Sequence, residues 1–228
     1  MRIFTIAALS LALAACAGPN AHNGGQRAPI FSVNPSGVLA LDIAQSRRAK
    51  EDGAWAALKK DADDDAILFI PEPVNAKKYL SEMGKGPQNV KWQPHQIFMS
   101  CDGRSAVTTG AIQWGEKHGY YSTIWQYKER SPGNGQWYWT LTHSAPLDTP
   151  RPAPELLQTK IAKCAEKPPV MINAPAEGVE MKQGLSRDQT LSWIWQFNPD
   201  KSHILIANIW NGESWENILM DNIRADKK

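Results

Sequence analysis

Apolar and polar positions recur with two different periods along this chain, and the change of period divides it. Over Val38 to Asp52 the spacing is helical, with Leu39, Ile43 and smaller alanines on one side. Ser36 stands where an N-cap is expected, and Gly53 breaks the run. A second short helix, Ala54 to Lys60, places Trp55 and Leu58 together. The acidic run Asp61 to Asp65 reads as a charged helix-to-strand loop, and Ala66 to Ile70 as a short strand stopped by Pro71-Glu72-Pro73. Asn75 then caps a third helix reaching about Met83. From Asn89 the period is two. Strands are predicted at Val90–Cys101, Ala106–Trp114, Gly119–Glu129 and Gln136–His143, joined by turn-forming segments as in antiparallel hairpins. Tyr121, Thr123, Trp125 and Tyr127 share one face of the third strand; Trp137, Trp139, Leu141 and His143 share one face of the fourth. Helices followed by a meander with one aromatic face predict an α+β fold, with the helices packed on one face of a curved sheet.

The proline-rich stretch Pro146 to Pro154 reads as a connector. Glu155 to Glu166 has helical spacing, and after a loop spanning Lys167 to Arg187 three further strands are predicted at Thr190–Phe197, His203–Trp210 and Ser214–Ile223. This extension has three placements open to it: continuing the first sheet, covering its open face, or forming a separate meander.

Composition narrows the function classes. The chain has 228 residues, with 25 Lys+Arg against 23 Asp+Glu. Balanced charge argues against a general nucleic-acid binder, which needs a basic face. The 42% hydrophobic content is too high for a disordered chain. No apolar run reaches the roughly 18 residues of a membrane-spanning helix. At the start, however, Met1-Arg2 is followed by an apolar stretch from Ile3 to Leu13 and then by Leu13-Ala14-Ala15-Cys16, the layout of a cleaved signal. Those last four residues resemble the lipobox of bacterial lipoproteins. The resemblance implies lipid on Cys16, cleavage just before it, and membrane attachment through two or three acyl chains, enough for stable anchoring. Ala17 stands where the inner-membrane retention signal of such proteins would place Asp, so the periplasmic face of an outer membrane is expected in a cell that has one. Residues 1–15 are then the signal peptide and 16–30 a flexible, breaker-rich tether.

Five segments carry a second resemblance. They are the run from Asp63 through Ile70 to Asn75, Trp92-Gln93-Pro94, the stretch from Cys101-Asp102-Gly103 to Gly110, the stretch from Gly119-Tyr120-Tyr121 to Trp125, and Gln136-Trp137-Tyr138-Trp139. In order and spacing they look like the nuclear transport factor 2-like superfamily, nearest its small bacterial SnoaL-related branch. The resemblance covers about Val38 to Pro146. It implies a cystatin-like α+β cone over residues 31–150, in which a curved sheet wraps N-terminal helices and leaves an apolar pocket. Residues 151–228 are then a C-terminal helix and three-strand extension. Relatives in that superfamily include isomerases, cyclases and domains without activity, so the fold cannot choose a function.

Chemical candidates follow from residue type and face. No nucleophile elbow, phosphate-binding loop, zinc motif or cofactor-binding pattern is present, so neither metal nor cofactor is expected. With Cys16 lipidated, Cys101 and Cys164 are the remaining thiols in an oxidising compartment, and pairing is the simplest arithmetic. His143, on an aromatic face directed toward the helices, is a candidate general base, and Tyr121 a candidate oxyanion donor. Trp55, Phe69, Glu72, His95, Trp125 and Trp139 are the candidate pocket residues. Two functions remain. One is a lipid-anchored envelope protein that binds a small apolar ligand or a protein partner, with a homodimer among the partners considered. The other is a SnoaL- or ketosteroid-isomerase-like enzyme moving a proton next to a carbonyl.

Overall fold

Asn34-Pro35 begins the first element. The Asn34 side chain accepts a hydrogen bond from the Gly37 amide at 3.1 Å, and Pro35, with no N–H to leave unpaired, occupies the first turn. In this computed structural model, which describes residues 32–164, 167–169, 171 and 173–224, helix α1 spans Pro35–Asp52. The cap is therefore two residues earlier than Ser36. The lipobox, Cys16 and the tether lie outside the described residues.

Helix α1 buries an unexpected face. Val38, Asp42, Gln45, Ser46 and Ala49 point inward, whereas Ile43 is 48% exposed. The helix packs its polar stripe on the sheet because strand residues there supply hydrogen-bond partners, and Ile43 is left at the rim. Gly53, at φ 99°, ends α1, and α2 (Ala54–Asp61) follows directly. A side chain at Gly53 would collide with the Lys85 carbonyl, which accepts from the amides of Trp55 and Ala56. The Gly84-Lys85-Gly86 loop thus closes the start of α2 with its own backbone.

Strand β1 runs Ala62–Ile70, so the Asp63 to Asp65 run is strand rather than loop. Asp63 is buried and paired with Lys128 at 2.6 Å and Arg130 at 3.5 Å, which offsets its desolvation. Pro71 turns the chain into β2 (Glu72–Asn75), an edge strand antiparallel to β1, where Pro73 is tolerated. After α3 (Ala76–Glu82) come β3 (Val90–Met99), β4 (Ser105–Trp114), β5 (Lys117–Glu129) and β6 (Gly135–Leu147), an antiparallel meander. The meander closes on β1 through a parallel β1–β6 pairing.

The predicted helix from Glu155 is absent. Leu156 is 81% exposed, and Gln158–Ile161 form β7, parallel to β3 at the sheet edge. An edge strand offers unpaired backbone groups, and here they outcompete a weak helical preference. A disulfide joins Cys101, just past β3, to Cys164, just past β7, with Cα atoms 5.3 Å apart. The first sheet is thus seven-stranded, in the order β2-β1-β6-β5-β4-β3-β7.

The rest of the extension forms a second, four-stranded antiparallel sheet. Its strands are β8 (Glu180–Leu185), β9 (Leu191–Phe197), β10 (His203–Trp210) and β11 (Trp215–Ile223), in the order β11-β10-β9-β8. Strand β8 lies within the segment read as loop, since Glu180-Met181-Lys182-Gln183-Gly184 lacks an apolar alternation. The second sheet covers the face of the first that the helices leave open. Phe98, Val107, Ile124 and Leu141 pack there against Trp195, Leu205 and neighbouring residues of the second sheet. Leu68, Ile97, Trp125 and Trp139 pack on the opposite face with Val38 and Leu80 of the helices. The result is three layers: helices, curved mixed sheet, second sheet.

Candidate functional site

A β-bulge decides which side chains reach which layer. Ile124 pairs with Leu141, but Trp125 pairs with Trp139, so Thr140 is an extra residue in β6. Unbroken alternation puts Trp139 and His143 on one face. The bulge sends Trp139 to the helix side with Trp125 and leaves Leu141 and His143 facing the second sheet. His143 is therefore turned away from the helices, contrary to the sequence expectation. Its Nε2 lies 2.8 Å from Asp221 Oδ2 of β11, and Ser122 donates its hydroxyl to the same oxygen at 2.6 Å. His203 lies beside it, ring centroids 5.5 Å apart, stacked on Phe69 at 4.5 Å. Both His203 ring nitrogens are buried without a partner among the described residues, and desolvation pulls its pKa down to about 4. The carboxylate sits between serine and histidine, so this order is no nucleophile–base pair: Ser122 gives its proton to Asp221, not to His143.

The more enclosed of two cavities lies on the other face, between α1, α2 and the meander. Its volume is about 250 Å³. Trp55 and Leu58 of α2, Leu68 of β1, and Val90, Ile112 and Trp114 of the meander form most of its wall. Gln45, Tyr121, Thr123 and Thr142 form a polar end. Among the predicted site residues, Trp55 and Tyr121 do line it, whereas Phe69 is part of the wall along β1 with its ring on the opposite side of the sheet, against His203 and Trp195. His143 is part of the wall along β6, but its imidazole is bonded to Asp221 on the opposite side of the sheet.

The other predicted pocket residues lie elsewhere. Trp125 and Trp139 are wholly buried in the helix-side core; Trp125 donates to Thr108 Oγ1 at 3.0 Å and Trp139 to the Leu58 carbonyl at 2.8 Å. Their indoles fill space rather than border it. His95 is the bulged residue of β3, buried by the sheet, with its pKa lowered by desolvation and then by Arg151. Glu72 sits on the exposed edge strand 3.1 Å from Lys201.

The residues that sequence reasoning missed lie directly behind the polar end. Asp42 is 1% exposed. Its Oδ2 accepts from the Tyr121 hydroxyl at 2.9 Å, its Oδ1 accepts from Trp92 Nε1 at 2.8 Å, and Thr108 adds a third side-chain bond. Burial nevertheless dominates and raises its pKa to about 6. The Tyr121 hydroxyl is pushed well above 10, by burial first and then by Asp42. A signal for this was present: Val38, Asp42, Gln45, Ser46 and Ala49 follow helical spacing as regularly as Leu39 and Ile43 do.

Three helices followed by an antiparallel meander, with a cavity between the helices and the concave, bulged sheet, is the arrangement the resemblance implied. The fold is α+β, with helices on one face of a curved mixed sheet and a second sheet on the other. No family model and no curated protein sequence matches the chain. Solved structures similar to it include a cystatin-like fold protein from Burkholderia xenovorans, at 14% identity and a TM-score of 0.38, over 52% of this chain and 98% of that one. A nuclear transport factor 2-like protein of unknown function from the same organism has 18% identity and a TM-score of 0.33, over 53% of this chain and 91% of that one. Likenesses this distant carry no argument about family or activity.

Proposed function

We propose that the protein is a lipid-anchored component of a bacterial cell envelope whose cavity takes a small, largely apolar ligand without transforming it. The observation that carries this reading is the cavity's lining. Its wall is aromatic and aliphatic, and the polar groups at its end are already engaged. Tyr121 donates to Asp42, Thr123 and Thr142 share a hydrogen bond at 2.7 Å, and Gln45 bonds Asp61 at 3.3 Å. Such a site rewards apolar surface and a compact shape. The sequence Leu13-Ala14-Ala15-Cys16 supports the anchor. Trp55, Trp92 and Trp114 on the wall make the test direct. Neutral compounds such as octanol should change tryptophan fluorescence and raise the melting temperature, and Leu58→Trp, which fills the space, should abolish both effects. Absence of any response at millimolar probe sinks the reading.

A second reading, proton transfer next to a carbonyl, is favoured by Asp42. A carboxyl titrating near 6 behind a cavity-lining tyrosine can pass a proton through that hydroxyl. If turnover of a small ketone is found and is lost in both Asp42→Asn and Tyr121→Phe while His143→Gln keeps it, this reading replaces the first.

A further inference from the structure

A second concavity, separate in chemistry from the enclosed cavity, runs along the rim between the outer side of α1 and the ends of β3, β4 and β5. It is open and large, about 590 Å³. Arg47 and Lys50 of α1, Lys91 of β3, and Arg151 just beyond β6 line it, together with His118. Among the described residues that line it, none is acidic. The whole chain is nearly neutral, 25 basic against 23 acidic residues, so four cations against no anion on one groove is a strong local asymmetry. None of the four has a carboxylate partner among the described residues, although eight Lys/Arg–carboxylate pairs are formed elsewhere among those residues.

Arg151 is the fixed member. Its Nη1 donates to Thr109 Oγ1 at 3.0 Å and lies 3.4 Å from the Gly110 carbonyl, which holds the half-buried guanidinium at the groove with neutral partners only. Arg47, Lys50 and Lys91 are exposed around it. The floor is apolar: Ile43, left outward by the polar inner stripe of α1, together with Ile112 and the Trp92 indole. Trp92 and Ile112 also line the enclosed cavity, so one wall serves both. Asp42, bonded to that same indole, projects no free oxygen, because its two oxygens are taken by donors.

The geometry points to this groove as a binding site for an amphipathic oxyanion, a small molecule with an apolar body ending in a carboxylate or phosphate. The fixed guanidinium and three exposed cations meet the oxyanion, as oxyanion recognition requires. Ile43, Ile112 and Trp92 take the body.

The test uses the full-length chain, titrated calorimetrically with octanoate, octyl phosphate, octanol and inorganic phosphate. Octanoate and octyl phosphate should bind at least about ten-fold more tightly than octanol, with affinity falling as salt rises. The double variant Arg47→Gln/Lys91→Gln, confined to exposed positions, should lose roughly ten-fold or more in affinity for both anions. Octanol binding, which belongs to the enclosed cavity, should be unchanged in that variant and absent in Leu58→Trp, which in turn should still bind octanoate. Octanoate binding no tighter than octanol, or equal in wild type and double variant, overturns the oxyanion site. Inorganic phosphate binding as tightly as octyl phosphate overturns the amphipathic requirement.

Discussion

Two buried groups with opposed pKa shifts should offset one another in the protein's stability across mildly acid pH, and removing either one should uncover the other. Asp42 is raised from 3.8 to about 6 by burial between α1 and the sheet. Between those values the folded state holds a proton that the unfolded chain releases, so stability falls as pH rises, by ~3 kcal/mol in all. His203 is lowered from 6.5 to about 4, mainly by burial between the sheets. Here the unfolded chain binds the proton that the folded state refuses, so stability rises with pH over that window, again by ~3 kcal/mol. The two slopes nearly cancel between pH 4 and 6. Against wild type, Asp42→Asn should therefore give a difference profile that climbs by ~3 kcal/mol between pH 4 and 6. His203→Gln should give one that falls by a similar amount from pH 4 to 6. Asp61 is raised, and His95, Asp64 and Asp200 are lowered, but all four are common to the three proteins, so the differences isolate the substituted groups. Urea unfolding at half-unit pH steps reads the slope independently of any constant loss from the substitution. Superimposable profile shapes for wild type and both variants, or slopes of the reverse sign, would refute the linkage argument.

Three further outcomes are expected. Replacing both Cys101 and Cys164 by serine should lower stability by about 2–4 kcal/mol in chemical denaturation, because the link closes a long loop and pins β7 to the first sheet; no loss under matched conditions counts against a structural role. His143→Gln should melt at lower temperature, since it deprives the buried Asp221 of its imidazole partner, yet bind octanol as wild type does; loss of octanol binding in the folded variant would place the imidazole in the cavity after all. Cys16→Ser should move the protein from the detergent phase to the aqueous phase or leave it unprocessed, and equal partitioning of both proteins would dismiss the lipid anchor.

How much was legible beforehand differs between the layers. Period-two alternation with Gly, Asn and Pro turns located all seven long strands of the two meanders to within a few residues, and helical spacing with Gly53 and Asn75 located the three helices. These signals are local, because each element's own residues report its period and its ends. The failures share one cause: they depend on a partner distant in the chain. Strand β7 exists because β3 offers an open edge, and β2 because β1 does. Asp63 is a strand residue because Lys128 and Arg130 lie across from it.

The candidate site shows the same division more sharply. Tyr121 and Trp55 were found from the sequence because they fall on apolar-facing positions of regular elements. Asp42 was passed over because a carboxylate on a helix reads as solvent-facing until Tyr121, Trp92 and Thr108 are brought to it from strands at least 50 residues away. His143 was misplaced by a single inserted residue, Thr140, whose bulge reverses the facing of everything on one side of it. The sequence by itself determined the α+β order of elements, the near-neutral charge and the candidate lipid-bearing cysteine, all of them properties of neighbouring residues. Only the tertiary structure decided that the C-terminal strands cover the open face of the first sheet, that the buried acid is Asp42, and that four cations of a near-neutral chain share one groove. Burial, register and charge proximity are set by which surfaces meet, and residues far apart in the chain meet only when it is folded.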